Sequence, residues 1–414
     1  ALLIKGGSCA VGRDTRPTSD AASKAVVSAL VGRGCRVYDL GVVSTPTLFR
    51  EVGLRKLDGG LCVTASHNPP EWNGLKFIMK GGRGIFEEEV TQLIQRKAIM
   101  RGGGRFTLEK DVLQTGYTYP DDVVSYVGRG VCYQMKVALD FGGGVACLFA
   151  SGIFRELGCR VLTVHSTPGV FQRIMDPVYD DLSSLSRMVV AEGCDLGFAY
   201  DCDADRVVVV DDEGRKLTPD DTLLICVKHL IEALSVKKVV VSVDTSMAVD
   251  EVVGRAEGRV YRTKVGEANV VQDMLRIGSR VGGEGSSGGL IVSDFALCRD
   301  GVLASALITK ITKEEGGIKK ALRGLPRYHQ IRGKIPYARE KAESLVQELS
   351  EDKGLTDRID GLRIRFKDSS WVLIRPSRTE DVLRISVEAK DRSRAEALMA
   401  EYLKKVRSLS KENP

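Results

Sequence analysis

Asparagine is scarce in this chain of 414 residues and occurs only at positions 68, 73, 269 and 413. Few amide side chains beside many Arg, Glu and Val residues are typical of thermophilic proteins, in which intracellular disulfides can form. None of the 10 cysteines stands in a CxxC pair, so a zinc site is not expected. Most of them, including Cys62, Cys147 and Cys226, lie in apolar runs and are predicted to be small buried hydrophobic residues.

Long apolar runs are missing as well. No stretch reaches the length of about 18 apolar residues that a membrane-spanning helix needs, and no basic leader precedes an apolar run. The 61 basic residues are interleaved with 55 acidic ones, so solvated surface is favoured over nucleic-acid binding. We therefore expect a cytoplasmic globular protein without a membrane or nucleic-acid partner. The length predicts two to four domains.

A pattern that occurs three times predicts three related domains. Each copy begins with a Val-rich run that ends in Asp, and a small-residue turn and a helical pattern follow. These runs lie at residues 11–14, 137–140 and 241–244. A second strand-like run of related sequence follows in each copy, at 34–38, 158–162 and 258–261. The period is too long for a solenoid, so we predict three α/β domains with mainly parallel, helix-covered sheets.

The C-terminal part of the chain has a different pattern. Strand-like stretches at 362–366, 371–375 and 382–388 precede a helix with one apolar stripe. This order predicts a separate, small α+β domain. The predicted domains are 1–122, 123–215, 216–328 and 329–414.

The segment Thr-Ala-Ser-His-Asn-Pro, with Ser66 at its centre, follows an apolar strand-like run at 60–63. Much later, Asp201, Asp203 and Asp205 alternate at the exit of another strand-like run and precede Arg206. A serine is a poor nucleophile at neutral pH unless a base activates it or it already carries phosphate. Alternating carboxylates suit a hard cation such as Mg²⁺. Together the segments indicate a phosphate-carrying serine beside a divalent metal, and a solvated acidic turn is the alternative.

Two further residues lie close to the serine in sequence. His67 follows it directly and is either a general base or only a hydrogen-bond donor to the phosphate. Lys76 is near enough to share the pocket, and either side chain could move the proton of a sugar hydroxyl. A surface lysine is the alternative for Lys76.

Two later loops have compositions that suit ligands. The glycine-dense loop 282–289 contains Glu284 and Ser286, which can hydrogen-bond to sugar hydroxyls. A flexible surface loop is the alternative. Between two predicted strands lies a loop of guanidinium and hydroxyl groups that fit phosphate oxygens, although a charged hairpin is also possible. The residues of this second loop are Arg375, Ser377, Thr379 and Arg384.

In combination, the serine segment and the Asp-x-Asp-Ala-Asp-Arg segment resemble the α-D-phosphohexomutase superfamily. This superfamily includes phosphoglucomutases, phosphomannomutases and phosphoglucosamine mutases. The resemblance covers residues 11–388, with the serine, metal, sugar and phosphate loops in the family's order. It implies three similar α/β domains with mixed, mainly parallel sheets and a fourth α+β domain around a central cleft. The implied reaction interconverts hexose 1-phosphate and 6-phosphate through a phosphoserine and a hexose 1,6-bisphosphate intermediate.

The resemblance also implies a role for each candidate residue. Ser66 would carry the phosphate and hold Mg²⁺ together with the three aspartates. Glu284 and Ser286 would select sugar hydroxyls. The side chains that would line the reacting centre are Arg13, His67, Lys76 and Arg206. Those that would hold the non-reacting phosphate are Arg375, Ser377, Thr379 and Arg384.

The chain departs from the family pattern in four places. A glycine- and arginine-containing segment that supplies an active-site arginine has no counterpart, so we expect the native protein to extend before Ala1. Cys202 stands where the family usually has glycine. The sugar loop is one residue longer and ends in glycine rather than histidine. Arg378 and Asp381 replace glycine and proline in the phosphate loop.

The sequence leaves the substrate and the assembly open. A phosphomannomutase/phosphoglucomutase of broad specificity is favoured, with phosphoglucosamine mutase as the alternative. A sugar phosphatase and a catalytically silent sugar-phosphate-binding protein are rival hypotheses. The expected partner is a small sugar phosphate, and the chain is expected to be a monomer or a homodimer.

Overall fold

The computed structural model describes residues 7–96, 112–337, 342–349, 355–377 and 381–412. Four β-sheets follow one another along the chain, and we call each sheet with its helices units I to IV. No helix in these ranges is long and apolar enough to cross a membrane.

Unit I is built on a six-stranded sheet. Its strands are β1 (Ser8–Arg13), β2 (Arg36–Val42), β3 (Gly59–Val63), β4 (Leu75–Met79), β5 (Arg83–Gly84) and β6 (Val112–Gln114). Its helices are α1 (Ser19–Val31), α2 (Thr45–Leu54) and α3 (Glu87–Arg96). Helix α1 has Gly32 as its C-cap. Helix α2 begins where the Ser44 side chain accepts a hydrogen bond from Thr47 N, which caps an otherwise unpaired N–H group.

Unit II has four strands. They are β7 (Lys136–Asp140), β8 (Arg160–Val164), β9 (Leu196–Tyr200) and β10 (Val207–Val210). Its helices are α4 (Tyr119–Val127), α5 (Ala150–Glu156) and α6 (Ser183–Glu192). Every residue of β9 and β10 is buried, which explains why their sequences are continuously apolar rather than alternating. Cys147 is only half-buried, so the prediction of burial is wrong for this residue, whereas Cys62 and Cys226 are buried.

Unit III repeats the four-stranded arrangement. Its strands are β11 (Lys238–Ser242), β12 (Arg259–Thr263), β13 (Val281–Glu284) and β14 (Gly289–Val292). Its helices are α7 (Pro219–Ala233), α8 (Ala248–Arg255), α9 (Glu267–Ile277), α10 (Gly301–Glu315) and α11 (Ile318–Ala321). Thr218 and Asp221 form a reciprocal capping box at the start of α7.

The sheets of units I to III share one topology. Their strand orders contain β4-β3-β1-β2, β10-β9-β7-β8 and β14-β13-β11-β12. In each unit the first strand pairs in parallel with the second and third strands, and the fourth strand is antiparallel to the third. The predicted triplication and the mainly parallel sheets are confirmed.

Unit IV is an antiparallel sheet of order β15-β19-β18-β17-β16. Its strands are β15 (His329–Pro336), β16 (Leu355–Asp357), β17 (Leu362–Arg365), β18 (Trp371–Pro376) and β19 (Val382–Ala389). Its helices are α12 (Ala342–Leu349) and α13 (Arg392–Glu412). One buried apolar cluster extends from Ala10 to Leu325 through units I to III, and unit IV has its own cluster from Leu345 to Val406. The α+β unit therefore has a separate core.

Candidate active site

Ser66 lies just beyond the carboxyl end of β3 and is oriented toward the metal loop. Its backbone is left-handed, with φ of 50°, a conformation that is uncommon outside glycine. Its Oγ donates a hydrogen bond of 2.8 Å to Asp201 Oδ2. The side chain of His67 approaches the same oxygen, with Nδ1 at 3.4 Å from Oγ. The predicted serine, histidine and first aspartate therefore lie together.

A buried arginine that sequence reasoning missed holds the serine loop in place. Arg16 is 1% exposed and its Nε pairs with Asp14 Oδ2 at 2.9 Å. Its guanidinium donates to four backbone carbonyls of the loop, those of Ser66, Asn68, Pro69 and Trp72. Because one rigid guanidinium carries several donors in a fixed geometry, it fixes the path of the whole loop.

The three aspartates of the metal loop form a compact, buried group at the carboxyl end of β9. All three are 0% exposed, and one carboxylate oxygen from each lies within 4.8 Å of the others. Asp203 Oδ1 and Asp205 Oδ1 are buried and accept no hydrogen bond from the described residues. Orphaned carboxylate oxygens in a tight cluster suit a hard divalent cation, so the residues present fit Mg²⁺.

Cationic side chains balance the charge of this cluster. Lys76 Nζ lies 2.6 Å from Asp203 Oδ2 and 2.8 Å from Asp205 Oδ2. Arg299 Nη2 lies 2.8 Å from Asp205 Oδ2. Burial works against the charged form of Asp205, but Arg299 and Lys76 more than offset it and hold its pKa well below the usual range. Burial and then the neighbouring Asp205 raise the pKa of Asp201. The arrangement thus carries strongly perturbed carboxylates, as reacting centres do.

His67 is neutral in this environment. Burial, followed by the positive charge of Arg206, lowers the pKa of His67 to about 4. Arg206 itself pairs with Asp176 at 2.8 Å. At neutral pH the imidazole can therefore accept a proton or donate its single N–H.

The sugar loop is placed at the carboxyl end of β13. Glu284 is 3% exposed, and its two oxygens accept from Gly266 N at 2.7 Å and Arg299 Nη1 at 2.9 Å. Ser286 is half-buried. Ser287, which the sequence did not single out, is buried with its Oγ 3.4 Å from Arg299 Nη1.

The three loops occupy equivalent places in their units. Ser66 follows β3, Asp201 follows β9, and Glu284 ends β13. Each of these strands is the third of its unit and is followed by the antiparallel fourth strand. Ligands of α/β sheets bind at the carboxyl ends of parallel strands. The three repeats therefore place three different side chains, a serine, an aspartate and a glutamate, at the equivalent edge of each sheet.

Among the remaining predicted residues, Arg13 and Arg375 form ion pairs away from the aspartate cluster. Arg13 pairs with Asp20 of α1 at 3.1 Å. In unit IV, Arg375 lies 3.5 Å from Asp360 and faces Arg384 across the β18–β19 pair. Ser377 is 4% exposed and its backbone N donates to Val382 O. Thr379 and Arg378 lie outside the described residues, and the active-site roles of all these residues stay predictions.

Family models match four consecutive parts of the chain. The models of the phosphoglucomutase/phosphomannomutase alpha/beta/alpha domains I, II and III match residues 2–100, 123–214 and 218–328. The model of the C-terminal domain matches residues 334–405. The fold and these matches together define an enzyme of the phosphohexomutase class, an intramolecular phosphotransferase of carbohydrate metabolism.

Similar proteins of known name extend this assignment. The chain is 37% identical to a "probable phosphoglucosamine mutase" of Methanopyrus kandleri, over 98% of the chain and 91% of that protein. It is 34% identical to a protein of the same name from Pyrococcus abyssi, over 99% of the chain and 92% of that protein. A phosphoglucomutase/phosphomannomutase family protein of Burkholderia thailandensis has the same fold, with a TM-score of 0.86, 23% identity and coverage of 98% and 92%. The chain belongs to the phosphoglucomutase/phosphomannomutase family.

Proposed function

We propose that this phosphohexomutase works through phosphorylated Ser66, with Mg²⁺ held by Asp201, Asp203 and Asp205. The observation that carries the proposal is the 2.8 Å contact between Ser66 Oγ and Asp201 beside the buried carboxylate cluster. When bound, Mg²⁺ would stabilise negative charge on the transferred phosphoryl group. The serine loop, fixed by Arg16, would present that group from one constant position.

The charges around the three aspartates support the presence of Mg²⁺ together with a phosphorylated Ser66. Lys76, Arg206 and Arg299 already surround the three aspartates. A phosphoserine adds roughly −1.5 to −2 charges, which would be left uncompensated beside these carboxylates. A divalent cation cancels this addition, so the phosphorylated serine and Mg²⁺ would enter the site as a nearly neutral pair.

The protonation states favour His67 over Lys76 as the group that accepts a proton from the sugar hydroxyl. Lys76 Nζ is bonded to two carboxylates, Asp203 first, which offset its burial and raise its pKa well above the ordinary value. It therefore stays protonated. His67 is neutral near pH 7, as a proton acceptor must be.

The other predicted residues complete the proposed cycle. Ser66 would lend its phosphoryl group to the free O1 or O6 of a hexose monophosphate and recover the other phosphate after the 1,6-bisphosphate has turned around. Glu284 and Ser286 would contact sugar hydroxyls, and Arg13 and Arg206 would line the reacting centre. The phosphate loop of unit IV would hold the non-reacting phosphate, through Arg375, Ser377, Thr379 and Arg384. We propose domain boundaries of 1–122, 123–215, 216–328 and 329–414.

The names of the relatives bring glucosamine phosphate forward as a substrate. The proteins from Methanopyrus kandleri and Pyrococcus abyssi are both named probable phosphoglucosamine mutases. We therefore propose glucosamine 1- and 6-phosphates beside the glucose and mannose phosphates favoured by the sequence. Kinetic parameters for the three sugar 1-phosphates, measured on one enzyme preparation, rank them. A cytoplasmic location and a monomeric or homodimeric state stay predictions.

The role of Ser66 is tested by Ser66→Ala. This variant should lose interconversion of the 1- and 6-phosphates, and intact-mass analysis should find a phosphorylated fraction in wild type that is absent from the variant. Ser408→Ala, at an exposed serine of α13, is the matched control and should retain activity. Near-normal mutase activity of Ser66→Ala would show that Ser66 is not the phosphate carrier.

A further inference from the structure

Arg299 lies where the metal loop, the sugar loop and the start of α9 meet. It stands between β14 and α10, and its side chain is 12% exposed. The guanidinium bonds Asp205 Oδ2 at 2.8 Å through Nη2 and Glu284 Oε2 at 2.9 Å through Nη1. Its Nε lies 3.4 Å from Glu267 Oε2, which also accepts from the backbone N of Arg299 at 2.8 Å. One side chain therefore joins carboxylates from units II and III.

A glycine at position 289 leaves room for the side chain of Arg299. A Cβ on Gly289 would lie 2.3 Å from Arg299 Cδ and 2.8 Å from its Cγ. Real carbon atoms do not approach so closely, so the absence of a side chain at position 289 keeps open the path of the arginine stem. The contact is thus supported from two separate places in the sequence.

The charges of its partners favour the protonated form of Arg299. Burial tends to lower the pKa of Arg299, but Asp205, Glu284 and Glu267 more than offset this and raise it well above its ordinary value. Because the guanidinium is planar and its donors form a fork, it can bond two carboxylates simultaneously and fix their separation. A lysine ammonium has the same charge but is a single point donor on a flexible stem.

We propose that Arg299 is a positioning residue that couples the sugar loop to the metal loop and thereby sets discrimination among hexose phosphates. It fixes Glu284, the carboxylate that would contact the sugar, relative to Asp205, the carboxylate that would hold the metal. The inference rests on the function proposed above for the metal and sugar loops. It adds that sugar preference and Mg²⁺ binding depend on one shared guanidinium.

The test compares Arg299→Lys, Arg299→Gln and Gly289→Ala with wild type. kcat and KM are measured with glucose, mannose and glucosamine 1-phosphates. We expect kcat/KM for the preferred sugar to fall about 10- to 100-fold, the range typical for partners of metal ligands. The loss should lie mainly in KM, and the preference between sugars should shrink. Arg299→Lys should be impaired like Arg299→Gln, because charge alone does not span two carboxylates.

A second measurement does not require turnover. The shift of the melting temperature on addition of MgCl₂ is recorded for each variant, and we expect the concentration that gives half of the shift to rise in the Arg299 variants. Arg280→Gln is the matched control, since Arg280 pairs with Asp294 in the same region but is 45% exposed. It should match wild type in both measurements.

Two outcomes would overturn the proposal. One is a folded Arg299→Lys or Gly289→Ala variant with unchanged sugar preference and an unchanged MgCl₂ response. The other is a uniform loss of kcat with unchanged KM for every sugar, which indicates a merely structural role. Failure of the function proposed above is recognised separately, by near-normal mutase activity of Ser66→Ala or by a wild-type melting temperature that does not respond to MgCl₂.

Discussion

The serine loop and the metal loop occupy equivalent places in units I and II but are held in different ways. Each follows the third strand of its unit, and each contains a left-handed residue, Ser66 with φ of 50° and Ala204 with φ of 59°. The serine loop is bound through backbone carbonyls by Arg16. The metal loop is bound through its backbone as well, since Val145 N, Thr45 N and Gly301 N donate to the carbonyls of residues 202, 203 and 204, and in addition through the charged side chains around Asp205. The serine loop therefore depends on one buried guanidinium, whereas the metal loop combines backbone hydrogen bonds with ion pairs to its own carboxylates.

The repeat also places an arginine beside both loops. Asp14 and Asp140 follow or end the first strand of their units, and each pairs with an arginine at 2.9 Å. In unit I the partner is Arg16, two residues further on. In unit II it is Arg173, 33 residues further on, which donates to Tyr200 O at 2.5 Å just before the first aspartate. In both units an arginine pairs with the aspartate of the first strand and bonds a backbone carbonyl near the loop, but the two arginines come from different positions in the repeat.

The largest effect is expected from breaking the backbone grip on the serine loop. Arg16→Ala leaves Asp14 as a buried carboxylate without its charge partner and removes the donors to four carbonyls. Breaking a buried ion pair in this way costs about 3–5 kcal/mol. Urea denaturation should show this loss in the free energy of unfolding. Arg33→Ala, at an exposed position, should stay within about 0.5 kcal/mol of wild type, and an equal effect of both variants would contradict the role of Arg16.

A second prediction concerns the charge balance of the metal loop. Lys76→Met removes the cation shared by Asp203 and Asp205, so these carboxylates should repel each other unless a metal is bound. The melting temperature should then depend more strongly on added MgCl₂ than in wild type, and activity should fall about 10- to 100-fold. Lys80→Met, in the same hairpin with a 75% exposed side chain, is the control. A Lys76 variant with no greater MgCl₂ dependence would argue against side-chain charge as a support of this loop.

The serine loop should contribute a pH dependence of its own through His67. Its pKa is lowered from 6.5 to about 4 by burial and Arg206, so between these values the unfolded chain binds more protons than the native one. Stability is therefore fully present above pH 6.5 and is lost as the pH falls to 4, by about 1–3 kcal/mol. His67→Gln should lose less stability over this range, while the exposed His329→Gln should behave as wild type. Identical pH profiles of stability for wild type and His67→Gln would show that the pKa of His67 is not lowered in the folded protein.

The smallest effect is expected from Cys202, which lies in the metal loop and contacts the two residues that follow β1. Its Sγ lies 3.5 Å from Asp14 Oδ2 and 3.7 Å from Thr15 Oγ1. Cys202→Ala should cost only about 1 kcal/mol, because Asp14 stays bonded to Arg16 and Thr15 still donates to Gly143 O. Thermal unfolding of Cys202→Ala measures this loss of stability. Cys226→Ala, which changes a cysteine of the apolar core, is measured beside it for comparison. A much larger loss at Cys202 would identify it as a required link between the metal loop and the segment that follows β1.

The elements of the fold that the sequence predicts are those with a local signal. Val-rich runs that end in Asp mark the first strands of units I to III. The antiparallel fourth strands were not predicted, because β4 alternates only weakly and pairs with β3 across the serine loop. Ser66 and the three aspartates could be singled out as candidate site residues because each lies in a short, chemically distinctive segment.

The supporting arginines could not be identified in this way. Arg16, Arg173 and Arg299 act on partners that are up to 56, 33 and 94 residues away. Nothing in the neighbouring sequence distinguishes them from surface arginines, and only the folded chain reveals which carbonyls and carboxylates they reach. The sequence predicts that Lys76 shares a pocket with Ser66, but its two carboxylate partners are evident only in the structure.

The contacts of Arg16 have a consequence for how this enzyme can change. Every amino acid has a backbone carbonyl, so the loop from Ser66 to Trp72 can exchange side chains without losing the bonds that define its path. The backbone contacts that hold this loop are therefore separate from the side chain that gives it its reactivity. A different reactive group introduced at position 66 would be presented at the same point above Asp201, which makes this loop a natural starting place for redesigning the chemistry while keeping the scaffold.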